Sequence, residues 1–186
     1  MEETLLPGCD WLMGAAGCDM PGVGQILSRS PELILMDPDA MEQCFDRLST
    51  DLCEGDRTKA SALFVRKPFL LPQSERLAPL VRLLTDDLQA TLSQARETIA
   101  SDPSFLEFQL ERLVYPRLEA VRQAGIGDVV NGSPLSLGGK MKVLGSFSEA
   151  RFAKWLKRES KTAVSEAVGE TVGGTAGEGG DCHRSW

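Results

Sequence analysis

At 186 residues and 42% hydrophobic content, the chain is long enough to bury one core without a metal or a disulfide to brace it. Aromatics make up 6% and leucine dominates the apolar set, which favours helix over sheet. A net charge of −7 argues against a uniformly basic nucleic-acid binder, and no apolar run approaches the ~20 residues of a membrane span.

Three segments, 26–41, 63–78 and 98–113, align on Pro31, Pro68 and Pro103, which lie 37 and 35 residues apart. Apolar residues recur at fixed offsets from these prolines: twenty before (Trp11, Leu48, Leu83), eight before (Val23, Ala60, Ala95), four before (Leu27, Phe64, Ile99), two after (Leu33, Leu70, Phe105) and three after (Ile34, Leu71, Leu106). A period of this length is the mark of stacked repeats, because one such unit cannot bury its apolar face alone. The expected organisation is an N-terminal stub (1–6), a repeat domain (7–158) and a disordered tail (159–186). Units fall near 9–48, 48–84 and 84–125, with a degraded closing unit at 126–158.

In unit one, Asp19 is expected to cap a helix starting near Met20 and Pro21. Pro31 stops it, a turn of 3₁₀ helix follows, and Asp37-Pro38 supplies N-cap and first position of a second helix. In unit two, Leu77, Leu80, Val81, Leu84 and Leu88 make one helical stripe. In unit three, Thr91 and Gln94 have capping-box spacing. There the second stripe is Leu110, Leu113, Val114, Leu118 and Val121, ending at Gly125, with a kink or fresh start expected at Pro116. The closing unit offers Pro134, then a helix capped by Ser148 with Phe152, Trp155 and Leu156 on one face. Beyond Glu159 the glycine-rich sequence has little to bury.

The quoted units resemble the mitochondrial transcription termination factor (mTERF) family, in which helix pairs are joined by a short 3₁₀ element marked by proline and leucine. The most specific stretch is FLEFQLERLVYPRLEAVRQAGI, with Phe105, Leu110, Pro116, Arg117 and Gly125. The resemblance covers roughly residues 7–158. It implies an all-α fold, a right-handed-type α-solenoid of helix–proline/3₁₀–helix repeats. It also implies a monomer that binds double-stranded DNA or RNA along a basic path, with protein partners in the organellar expression machinery. Regulation of gene expression in a mitochondrion or chloroplast, such as transcription termination, would be its role. The opening MEETLLPGCD is acidic and lacks transit-peptide composition, so either a cytosolic protein or a truncated chain is expected, the latter favoured.

Charge is unevenly spread. Residues 1–60 carry 4 Lys/Arg against 12 Asp/Glu, 61–125 carry 8 against 8, 126–158 carry 6 against 2, and 159–186 carry 2 against 5. Phosphate contacts are therefore expected among Arg66, Lys67, Arg76, Arg82, Arg112, Arg117, Arg122, Lys140, Lys142, Lys154 and Lys157. Lys67 and Arg66 could equally serve a helix end, and Arg117 an intramolecular carboxylate or helix C-terminus. No catalytic set, cofactor or metal site is expected. Asp86 and Asp87 point apart on a helix, and neither the GVG at 22–24 nor NGSPLSLGGK at 131–140 completes a nucleotide-binding motif. The five cysteines have no C-x-x-C spacing, and the single His183 lies in the tail. Cys44 and Cys53 read as packing residues. The competing expectation is a helical-repeat scaffold that binds protein and no nucleic acid, which the acidic balance favours.

Overall fold

A computed structural model describes residues 5–126 and 136–172, with side chains over 7–126 and 136–162. Pro134, Cys182 and His183 lie outside the described residues. All described elements are helical, and no strand occurs among them, in line with the all-α expectation. The α-helices are α1 (Leu5–Ala16), α2 (Met20–Arg29), α3 (Pro38–Cys53), α4 (Arg57–Arg66), α5 (Leu77–Arg82), α6 (Leu92–Ser101), α7 (Tyr115–Gln123), α8 (Leu137–Ser146) and α9 (Glu149–Val172).

The three prolines do the same thing in each unit. Each stands at the start of a 3₁₀ element: Pro31–Leu35, Pro68–Leu70 and Pro103–Glu107. The residue before each proline takes nearly one conformation, with φ and ψ of −144° and 72° at Ser30, −140° and 68° at Lys67, and −131° and 80° at Asp102. That backbone is non-helical because the proline ring excludes the α region for its predecessor. Its N–H still closes the helix behind it, donating to Ile26 (3.1 Å), Leu63 (2.9 Å) and Thr98 (3.0 Å). The break is therefore sharp without an orphaned donor.

The caps fall where side-chain chemistry puts them. Asp19 accepts from the Gly22 N–H at 3.1 Å, and Asp37 from the Asp39 N–H at 2.9 Å. Thr91 and Gln94 form the reciprocal capping box. Ser148 receives the Arg151 N–H at 3.4 Å. Gly125 closes α7 at φ +69°, where a side chain would be strained.

One apolar core runs from Leu12 through Phe152. Trp11, Phe45 and Phe64 meet edge to face, with centroids 5.9–6.3 Å apart, and join α1 to α3 and α4. Residues at the five repeat offsets are buried, except that Trp11 and Leu27 are half-buried and Ile34 is exposed.

The structure departs from expectation in four places. Ile34 is 42% exposed and its neighbour Leu35 87%, whereas the equivalent Leu71 and Leu106 are at 0% and 2%. The second helices of units two and three each contain a π turn, Leu83–Asp87 and Leu110–Val114. In unit three this precedes Pro116, whose missing N–H makes α7 a fresh start at Tyr115. α1 begins at Leu5, inside the expected stub. α9 continues to Val172, through the first part of the stretch expected to be disordered. Residues 159–168 are mostly good or acceptable helix formers with no glycine, so nothing in them stops a helix already nucleated upstream.

Candidate nucleic-acid interface

The eleven expected phosphate contacts do not form one set. Arg117 and Lys140 are buried, at 4% and 8% exposure. Arg117 donates from Nη1 to the Leu144 carbonyl (3.0 Å) and from Nη2 to Glu149 (2.7 Å), and its guanidinium lies 4.8 Å from the Phe152 ring centroid. It thus has both the carboxylate and the helix-end partner its motif suggested. Burial in the first turn of α8 pushes the Lys140 ammonium pKa down, a poor setting for holding a phosphate.

Three more are committed to neighbouring units. Lys67 Nζ donates to the Ala100 and Ser101 carbonyls, at 2.8 and 2.7 Å, at the end of α6. Arg76 donates to the Leu106 carbonyl at 2.8 Å. Lys142 pairs with Asp102 at 3.3 Å; the Ser104 hydroxyl first, and then Lys142, holds that carboxyl below its usual range. Arg96, which sequence reasoning passed over, does the same at the end of α3, donating to the Asp51 and Thr50 carbonyls and pairing with Glu54. Lys67 and Arg96 neutralise the partial negative charge of helix C-termini, and the signal for these contacts was a tertiary one. Arg122 pairs with Asp87 and Glu119.

Arg66, Arg82, Arg112, Lys154 and Lys157 are exposed and make no ion pair or side-chain hydrogen bond among the described residues. The first three lie on separate elements: the last turns of α4 and α5 and the π turn before α7. Lys154 and Lys157 share α9 with Arg151, Arg158 and Lys161, all exposed. At ~100° per residue these five cover an arc of about 120°. Phe152, Trp155 and Leu156 occupy the opposite side and pack on the core. Arg151 rests 3.9 Å from the Phe147 ring centroid and Arg158 pairs with Glu159, so both are held at the surface. From 137 to 162 there are seven bases against Glu149 and Glu159. Arg151, Arg158 and Lys161 were legible from helical spacing; of the three, only Lys161 lies beyond the tail boundary expected at 159.

Other chemistry is sparse. A cleft of 770 Å³ between α1, α3 and α4 is lined by Trp11, Gly14, Phe45, Arg57 and Glu42. Its carboxylate is tied up: Glu42 accepts from the Trp11 indole at 2.8 Å and from Arg57 at 2.6 Å, and the Trp11 bond first, then Arg57, holds its pKa down. Among the described residues, no group of three or more His, Cys, Asp or Glu is placed to hold a metal, and no helix is long and apolar enough to cross a membrane. The described cysteines are free, and burial raises the Cys53 thiol pKa.

No protein-family model matches this chain, and no curated protein or solved structure matches it either.

Proposed function

We propose that the chain is an mTERF-like α-solenoid that binds duplex nucleic acid, with α9 as its principal contact, and that it regulates organellar gene expression by binding and not by catalysis. The observation that carries this reading is the arc of Arg151, Lys154, Lys157, Arg158 and Lys161, five exposed cations on one helical face of an acidic protein. Clustered cations displace condensed counterions from a duplex, and evenly mixed charges do not. The repeated helix–proline–helix units support the solenoid, and the resemblance supports the organellar role. Arg66, Arg82 and Arg112 extend the contact only weakly in this reading.

The test is fluorescence anisotropy on labelled duplex DNA and RNA across salt. Affinity for duplex DNA should fall with a log–log slope of about −4.5 if all five cations engage. Lys154→Glu with Lys157→Glu should weaken binding at least tenfold and flatten the slope. Absence of binding at about 50 mM salt would overturn the reading.

A protein scaffold is the second reading. It is favoured by Ile34 and Leu35, an adjacent apolar pair left exposed in the most acidic unit.

A further inference from the structure

The exposed pair has a specific setting. Glu32, Asp37 and Asp39 flank Ile34 and Leu35, and all three are exposed. Between residues 7 and 46, Arg29 is the one base against seven acids. The surface is thus a small apolar step with an acidic rim. The repeat indicates how such a step is normally covered. In unit two the proline-led 3₁₀ element packs against α2 of the unit before it, in unit three against α5, and in unit one against α1, which still leaves Ile34 open. Leu71 and Leu106 are buried at the position where Ile34 stands open. Ile34 and Leu35 thus keep an open side on which a further helix can rest.

The same chain carries a complementary helix. On α9, Ala150 and Ala153 are exposed; Ala150 lies within the basic arc and Ala153 about 40° beyond the edge marked by Lys157. Short alanines leave room for leucine, while lysine stems cover apolar surface and reach the carboxylates. We propose that α9 of a second copy docks on the Ile34–Leu35 face, so that copies associate head to tail. Acidic N-terminal and basic C-terminal surfaces steer the encounter, and burial of Leu35 holds it. The contact is heterologous: a pair leaves one head and one tail unused, so association continues beyond a pair unless it closes into a ring.

The test uses the purified full chain without nucleic acid, so its outcome is independent of the duplex-binding reading. Sedimentation velocity at tens of micromolar protein should show species larger than a monomer at about 50 mM salt and their loss at about 500 mM. Leu35→Lys disables the head, and Lys154→Glu with Lys157→Glu disables the tail. All three positions are exposed, and circular dichroism of each variant should match the parent. Each variant alone should be monomeric. Their mixture should form one-to-one pairs and nothing larger, because one working head and one working tail remain. A monomeric parent at low salt, a single variant that still associates, or a mixture that fails to pair would each overturn the proposal.

Discussion

Arg117 Nη2 lies 2.7 Å from the Glu149 carboxylate and so ties α7 to the first turn of α9. The two partners stand in unlike surroundings: the arginine side chain is 5% exposed and the glutamate 80%. Their substitutions should therefore differ in cost. Arg117→Ala removes the Leu144 hydrogen bond, the contact with Phe152 and buried volume, and should cost about 2–4 kcal/mol. Glu149→Ala leaves the guanidinium on Leu144 and Phe152 and should cost about 1 kcal/mol. Urea midpoints with unchanged slopes measure both, and equal losses would contradict this account.

Lys67 separates a structural from a binding cation. Its ammonium bridges the last carbonyls of α6, so Lys67→Met should destabilise by about 1–2 kcal/mol. Arg66, one residue earlier and exposed, should tolerate Arg66→Ala within about 0.5 kcal/mol. Thermal unfolding of the two variants side by side decides it. A loss at Arg66 as large as that at Lys67 would mean that both serve the helix end.

These cations mark how far the sequence reaches. Asp19, the Thr91–Gln94 box and the pre-proline residues are legible because a cap or a proline acts on its own few neighbours. Burial at two residues past the proline is legible for the same reason: Leu33, Leu70 and Phe105 follow the local geometry that the proline imposes. Three residues past it the rule breaks, since burial there depends on tertiary packing: Leu71 and Leu106 are covered and Ile34 is open. The interface was harder. Arg76 and Arg96 read as surface charge in one dimension, and for Lys67 and Arg117 a helix-end role was one expectation beside phosphate contact; packing reveals that each of the four faces a carbonyl of another unit. The basic stripe of α9 is local and could have been read in full; the compositional boundary at 159 left out Lys161.

Glu42 makes stability depend on pH in a predictable direction. Its folded pKa lies below the ordinary glutamate value because the Trp11 indole and Arg57 donate to the carboxylate. A depressed pKa contributes stability above the unfolded value, about 4.3, and loses it as pH falls through the folded value. Glu42→Gln removes that contribution. The melting-temperature gap between parent and variant should be widest near neutral pH and close as pH falls below about 4. The pair is partly solvated, so the gap should be modest. A gap that does not change with pH would show that shape, and not charge, is what Glu42 supplies.

Gly145 decides how closely α8 approaches the loop before α7. A Cβ there would fall 2.0 Å from the Phe108 ring, and all three nearest atoms belong to that ring. Within a helix, glycine to alanine ordinarily stabilises by about 1 kcal/mol, so the two effects oppose each other. Phe108 is half-buried and its ring lies 5.5 Å from that of Phe105 at a 52° tilt, which limits its freedom to swing aside. The clash should win, and Gly145→Ala should destabilise by about 1–3 kcal/mol. Phe108→Ala alone should also cost stability by losing its contacts. Combined, the two should cost less than their sum, because removing the ring makes room for the methyl and lets the helix preference act. A double-mutant cycle on urea unfolding reads this coupling directly, and simple additivity would mean that α8 does not pack on Phe108 as described.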